Sequence, residues 1–182
     1  MADPRTENVV GALALALVDA IQRDAQAQAP EPGPAAAAIA LIGHAPGLSI
    51  ERLRRALALS HPGTVRLVDR LVEDGVVVRS TAAEDRRAVA LRLTPSGEAA
   101  DAAILSARQA SLSAALDALS PEEAEQFGRS AAKVLRGLIR HEDNAYRTCR
   151  LCDYRVCQDC PVDAELRGGA QDGGRHGTNT SN

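Results

Sequence analysis

The sequence has very few aromatic side chains, with one Phe, two Tyr and no Trp among 182 residues. Ala, Leu and Val must therefore fill the core. A chain rich in Ala, Leu, Arg and Glu favours helices, because these side chains lose little rotamer freedom there. The composition excludes collagen, a wholly disordered chain and a disulfide-rich secreted scaffold.

Long hydrophobic runs are also missing. No stretch of about 18 consecutive apolar residues occurs, which argues against a membrane-spanning helix. The N-terminal sequence Met1–Arg5 does not begin the basic segment, apolar run and cleavage site that a signal peptide needs. We therefore expect a cytoplasmic protein.

The sequence has no overall excess of basic residues, since its formal net charge is -3. That average argues against a nucleic-acid-binding protein, but the distribution is uneven. Between Ser49 and Arg92 there are nine Arg and six acidic residues. Such a local surplus can create a basic face on an acidic protein.

The first half of the chain shows the spacing of helices. Apolar residues recur every three or four positions over residues 7–28, and the prolines of residues 29–34 then end that helix. A second, Ala-rich helix should reach about His44. Ser49 and Ser60 are candidate N-caps of a third and a fourth helix, and the fourth should end at Gly75.

The period then changes from that of a helix to that of a strand. Val76–Val78 and Val89–Leu93 predict a two-stranded hairpin with a charged tip between them. A fifth helix should begin at Thr94-Pro95. Ser120 and Glu123 have the spacing of a capping box, which predicts the start of a sixth helix.

Two short helices joined by a tight turn and followed by a β-hairpin are the components of a winged helix-turn-helix. In the fourth helix we expect Val65, Val68 and Val72 to face the domain, with Leu67 and Leu71 beside them. Gly63, Arg66 and Arg70 then project from the domain and can meet DNA. Alternatively, the two arginines belong to a solvated face that is ion-paired with Asp69, Glu73 and Asp74.

Two longer strings carry a family resemblance. Leu59–Val77 resembles the recognition-helix region of the multiple-antibiotic-resistance-regulator (MarR) family, and Asp85–Gly97 resembles its wing and the start of its next helix. The resemblance covers residues of about 7 to 147. It implies a mainly α fold with a small β-hairpin, a winged helix-turn-helix within a six-helix, dimer-forming architecture.

The resemblance also implies a function. Members of the family are homodimers that bind pseudo-palindromic double-stranded DNA and usually repress transcription, and many respond to a small aromatic or anionic ligand. The DNA-binding positions that it implies are Ser60, His61, Gly63, Thr64, Arg66 and Arg70 on the recognition helix, and Asp85, Arg86 and Arg87 on the wing. Val65 stands where the family often has a small hydroxyl residue, so base preference cannot be transferred.

The predicted organisation has five parts. Residues 1–34 form a dimerisation helix and linker, 35–97 the DNA-binding domain, and 98–147 the C-terminal dimerisation helices. A cysteine-rich module follows at 148–166, and a Gly-rich tail at 167–182 is expected to be disordered. The apolar stripes of the first, fifth and sixth helices lie outside the winged helix and require a partner surface, which favours a homodimer.

All four cysteines lie within twelve residues, in the pattern C-x2-C-x4-C-x2-C. Two such knuckles can supply four thiolates to one tetrahedral zinc ion, although the spacer is short for a zinc ribbon. An iron–sulfur cluster uses the same ligands, and a thiol–disulfide switch is a third interpretation. The candidate ligands are Cys149, Cys152, Cys157 and Cys160.

An enzyme is not indicated. The sequence has no nucleotide-binding fingerprint, and its four histidines are too scattered to suggest a catalytic set. The sequence therefore predicts a dimeric DNA-binding regulator with a zinc-binding or redox-sensing cysteine module. The alternatives are a redox protein built around the cysteines, or a regulator controlled by a small ligand in which the cysteines are structural.

Overall fold

The computed structural model describes residues 3–81, 89–139, 141–157 and 160–162. The helices are α1 (Pro4–Gln26), α2 (Ala35–His44), α3 (Ile50–Leu57), α4 (His61–Glu73), α5 (Pro95–Leu116), α6 (Pro121–Leu138) and α7 (Glu142–Cys149). The strands are β1 (Leu48–Ser49), β2 (Val77–Thr81) and β3 (Val89–Leu93).

The chain divides into two compact units. Helices α1 to α5 and the sheet form one unit together with Arg150–Cys152. Helices α6 and α7 and the segment that follows Cys152 form the other. In the described part of the chain, no helix combines the length and the apolar character that crossing a membrane requires.

Helix α2 is the centre of the first unit. Every residue from Ala35 to Ile42 is buried, as expected of a helix that is apolar on all sides. It packs against α5, β3 and α3, and α1 packs along α5. The Ala-rich sequence allows this, because small side chains let neighbouring elements approach on every face.

The sheet has three antiparallel strands in the order β1-β3-β2. The predicted hairpin is present, with Val77 opposite Leu93 and Thr81 opposite Val89. Strand β1 was not predicted. It has two residues and pairs Leu48 with Leu91, and so short a segment carries no periodic signal of its own.

The turn between α3 and α4 sets the direction of α4. Ala58 ends α3 in the left-handed conformation with φ 54°, and the Leu59 N–H donates to the Arg54 carbonyl at 3.1 Å. The Ala58 N–H donates to the Arg55 carbonyl at 3.2 Å. Two carbonyl groups that would otherwise lack a hydrogen-bond donor at the end of α3 are thus paired. Helix α4 then begins within three residues.

The inner face of α4 differs from the prediction by about one position. Its buried residues are Thr64, Leu67, Val68 and Leu71, whereas Val65 and Val72 are half-buried. Leu67 and Leu71 form the centre of the face because they are the larger apolar residues. The expectation that Val65 and Val72 lead the inner face is therefore wrong.

Helix α7 was also not predicted, because its sequence has no apolar stripe. The ring nitrogen Nδ1 of His141 accepts from the Asn144 N–H at 3.2 Å, which satisfies a donor at the start of this helix. The predicted tail at 167–182 lies outside the described residues.

Candidate nucleic-acid interface

The start of α4 is fixed by its cap. The Ser60 hydroxyl accepts from the Gly63 N–H at 3.2 Å, and Pro62 occupies the first turn, where its missing N–H costs nothing. Ser60 and His61 are exposed, and Gly63 is half-exposed. The cap therefore leaves the first turn of the candidate recognition helix accessible.

Thr64 is not part of the accessible surface. Its side chain is fully buried, and its hydroxyl donates to the Ser60 carbonyl oxygen at 3.0 Å. A buried side chain with a satisfied hydroxyl cannot reach a base or a phosphate in this conformation. The expectation that Thr64 contacts DNA is corrected on this ground, and Thr64 is a packing residue of α4.

Arg66 projects from the domain, as the sequence predicted. The residue is exposed, and within the described residues its side chain has no hydrogen bond or ion pair. It follows the capped first turn of α4 on an exposed part of the helix. Its guanidinium group is therefore available for a base edge or a phosphate.

Arg70 also lies on the surface of α4, but it has a partner. Its Nε donates to the carboxylate of Glu31, which lies between α1 and α2. The pKa of Arg70 is raised, mainly by this hydrogen bond. The sequence-based alternative named Asp69, Glu73 and Asp74 as partners; the contact instead comes from a residue 39 positions away.

Asp69 connects α4 to the hairpin. Its carboxylate accepts from a terminal nitrogen of Arg79 on β2 at 2.6 Å. Both side chains are partly exposed, so the pair contributes little to stability. It joins β2 to α4 beside the exposed face of that helix.

Part of the arginine surplus is neutralised on α3. Glu51 accepts from Arg54 at 2.8 and 2.7 Å and from Arg55 at 2.9 Å. These hydrogen bonds, with that of Arg54 the largest cause, lower the pKa of Glu51 to about 2. The carboxylate therefore stays ionised, and the net positive charge of α3 is smaller than its arginine content suggests.

The predicted wing residues Asp85, Arg86 and Arg87 lie outside the described residues. The two strands that lead to them are described, and they pair up to Thr81 and Val89. The predicted hairpin is present, and its strand β2 contacts α4 through Arg79 and Asp69.

The cysteines are all thiols in this structure. Cys149 is buried at the end of α7, Cys152 and Cys160 are half-buried, and Cys157 is exposed. The Tyr154 hydroxyl donates to the Cys149 carbonyl oxygen at 3.2 Å. Across the described ranges, no three His, Cys, Asp or Glu side chains form a group that could hold a metal ion.

Taken together, the helix pair α3–α4, the three-stranded sheet and the exposed arginine on α4 define a winged helix-turn-helix domain. Comparison with known families agrees. Residues 32–88 match the model of the MarR family. The chain therefore contains a MarR-family domain.

Solved structures extend the match in fold beyond that domain. The structure of a MarR family protein from Bacillus stearothermophilus is 26% identical, with a TM-score of 0.62 over 75% of this chain and 98% of that one. The YusO protein from Bacillus subtilis is 20% identical, with a TM-score of 0.57 over 72% and 93% of the two chains.

A third match is a Mycobacterium tuberculosis MarR family protein, Rv2887, in complex with salicylic acid. It is 20% identical, with a TM-score of 0.51 over 68% of this chain and 94% of that one. At this identity the likeness concerns the fold.

Proposed function

We propose that this protein is a sequence-specific DNA-binding transcriptional regulator, a repressor that acts as a homodimer on a pseudo-palindromic operator. The observation that carries the proposal is the exposed Arg66 on a capped helix α4 within a MarR-family winged helix. An arginine at this place can donate two hydrogen bonds to the edge of guanine in the major groove.

The test is selection of bound duplexes from a random pool by the purified full-length protein, followed by footprinting. We expect enrichment of an inverted repeat whose half-sites are separated by about one helical turn, 10–10.5 base pairs. A pool with no enriched sequence, or footprints without two-fold symmetry, would contradict the proposal.

The homodimer is supported by apolar side chains that each unit leaves exposed. On α1 these are Val9, Val10, Leu13, Leu15 and Val18, with exposures from 39% to 69%. On α6, Phe127 is 40%, Val134 61% and Leu138 63% exposed, and no residue of this helix is buried. Exposed apolar side chains in such numbers are costly in water, and a second copy of the chain would cover them.

The cysteine segment supports a second element of the proposal, a structural zinc ion. The donor set fits by type, because four cysteine side chains lie close in sequence. When bound, zinc would supply a crosslink between the two C-x2-C knuckles. The segment would need to close around the ion, since the described side chains are not grouped for it.

Metal analysis and an absorption spectrum of protein purified without oxygen test this element. A colourless protein with a single zinc ion per chain is expected, and Cys152→Ser should release the ion. A brown protein would indicate an iron–sulfur cluster instead. A metal-free protein with reversible oxidation would indicate a thiol switch, and both results contradict zinc.

A small aromatic anion is the proposed effector class, because the Rv2887 structure contains salicylic acid and shares this fold. Salicylate titrated into the protein–operator complex should weaken DNA binding. The same concentration of benzyl alcohol, which has the ring without the charge, is the control. Equal effects of the two compounds would contradict an anionic effector.

A further inference from the structure

The segment between α1 and α2, residues 27–34, carries an acidic residue onto the candidate DNA-binding face. Glu31 is the residue whose carboxylate accepts from Nε of Arg70. The Glu31 side chain is 18% exposed, whereas that of Arg70 is 47% exposed. The Glu31 side chain is thus mostly buried, and Arg70 is the member of the pair that DNA can reach.

The Glu31 carboxylate is largely shielded from water. Its second oxygen, Oε1, is buried and has no hydrogen-bond partner within the described residues. Pro30, Pro32 and Pro34 flank it, and proline restricts the backbone both in the folded and in the unfolded chain. Glu31 therefore presents its charge to Arg70 from a stiff segment, which limits the entropy that the pair must lose on forming.

The pair differs from the other ion pairs near α4 and α3. Glu51 forms ion pairs with arginines on its own helix. Asp69 forms an ion pair with Arg79, which is not on the recognition helix. Glu73 and Asp74 act on Arg70 through space, and their effect on its pKa is smaller than that of Glu31. Glu31 is thus the acid in direct contact with an arginine of the exposed α4 face.

Pairing changes what Arg70 can offer to DNA. Non-specific binding depends on cations that neutralise phosphates and release counterions. An arginine that stays paired with a carboxylate adds no net charge, and the carboxylate repels an approaching phosphate. Some duplexes place a hydrogen-bond acceptor directly at the donors of Arg70 that Glu31 does not occupy. The affinity for such a duplex is reduced less by Glu31, because hydrogen bonds from a charged donor are strong at close range.

We propose that Glu31 determines DNA-binding specificity by occupying Arg70, so that Arg70 does not contribute to the binding of non-operator DNA. This inference rests on the proposed function. It assigns to the segment between α1 and α2 a role in DNA recognition, although that segment lies outside the helix-turn-helix and the wing.

The test is Glu31→Gln, which keeps the shape of the side chain and removes its charge. The probes are a duplex of random sequence and the duplex selected by the wild-type protein, each titrated over a range of salt concentrations. We expect affinity for the random duplex to rise about twofold to fivefold, the range of an exposed ion pair. The slope of log K against log salt should steepen by about 0.9, equivalent to one more phosphate contact.

Affinity for the selected duplex should rise less, so the ratio of the two affinities falls. Glu73→Gln is the matched control, because it removes the same charge from the exposed end of α4 without breaking the Arg70 contact. In an Arg70→Ala background, Glu31→Gln should lose its effect on the salt slope. Thermal unfolding of each variant verifies that the fold is retained.

Three outcomes would overturn the inference. They are an unchanged salt slope on the random duplex, an equal rise in both affinities, and an equal effect of Glu73→Gln. These outcomes are separable from failure of the proposed function. If the wild-type protein selects no duplex at all, the function fails; if it does and Glu31→Gln behaves like the wild type, this inference alone fails.

Discussion

Gly97 of α5 lies so close to Val76 that a Cβ atom at position 97 would be 2.0 Å from the Val76 carbonyl oxygen. The same oxygen accepts from the Thr94 N–H at 3.1 Å. The Thr94 hydroxyl donates to the carbonyl oxygen of Gly75 at 2.6 Å. The segment that follows α4 is thus joined to the start of α5 by one backbone hydrogen bond and one hydrogen bond from the Thr94 side chain, both at the base of the hairpin.

Replacing Gly97 with Ala should therefore destabilise the protein strongly. The added methyl group meets backbone atoms rather than a flexible side chain, so the helix must shift. We expect the free energy of unfolding to fall by about 3 kcal/mol, the upper part of the range for overpacking. Chemical denaturation followed by circular dichroism measures it.

Gly128→Ala is the matched control. Gly128 lies in α6, and a Cβ there would have no atom within 4 Å. The substitution should stabilise the protein by up to about 1 kcal/mol, because Ala is the better helix former. Similar stabilities of the two variants would contradict the close approach of Gly97 to Val76.

Local signals made much of this fold predictable. The predicted caps at Ser49, Ser60 and Ser120 all have their side-chain hydrogen bonds. Thr94, predicted only as the place where α5 begins, is also a cap. A cap depends on residues within one turn, so the sequence contains all the information that it needs. Helices α1 to α6 and the hairpin followed from such signals and from periodicity, whereas α7 did not.

Contacts between distant positions were not predictable in the same way. The inner face of α4 depends on the side chains that α3 and β2 pack against it, and Thr64 is buried there. The Glu31–Arg70 pair joins residues 39 positions apart. Nothing in the run of prolines around Glu31 indicates where its carboxylate will lie, so the partner of Arg70 required the structure.

If Arg66 makes the proposed bidentate contact with a base, Arg66→Ala should weaken binding to the selected operator about tenfold or more and relax its sequence preference. Arg129→Ala is the control: it removes the same charge from α6, where Arg129 is paired with Glu125. Fluorescence anisotropy at fixed salt measures both. An operator affinity that is the same for the two variants would remove Arg66 from the interface.

Arg87→Ala should act differently. The family resemblance places Arg87 in the wing, where a backbone or minor-groove contact carries little sequence information. Affinity should fall by a similar factor on all duplexes, and the salt slope should become shallower by about 1. A loss confined to the selected operator would contradict this role.

Val134→Asp should shift the protein from dimer to monomer. Val134 is 61% exposed on α6, so the substitution costs little in the isolated chain but buries an unpaired charge in a dimer. We expect the dimer dissociation constant to rise at least about tenfold. Light scattering across a dilution series measures the change.

Val156→Asp makes the same chemical change at a valine outside α6 that is 73% exposed. It should leave the mass in solution unchanged, because exposure alone does not make a valine part of the interface. If both variants dissociate equally, or if neither does, the apolar face of α6 is not the dimer surface.

The ion pairs of Glu51 predict a dependence of stability on pH. Arg54 and Arg55 hold the pKa of Glu51 at about 2, below the value of about 4.3 for an unfolded glutamate. A lowered pKa contributes stability that is fully present above the unfolded value and is lost as pH falls towards the folded value. The stability difference between the wild type and Glu51→Gln should thus be constant above about pH 5 and disappear near pH 2.

Urea denaturation at a series of pH values tests this, because urea does not screen charges. The pair is solvent-exposed, so the difference at neutral pH should be small. Glu122→Gln, at an exposed position in the first turn of α6, changes the net charge equally without removing an ion pair seen among the described residues. A difference for Glu51→Gln that persists unchanged down to pH 2 would show that the arginines do not bind the carboxylate, and that more of the positive charge of α3 is available to DNA.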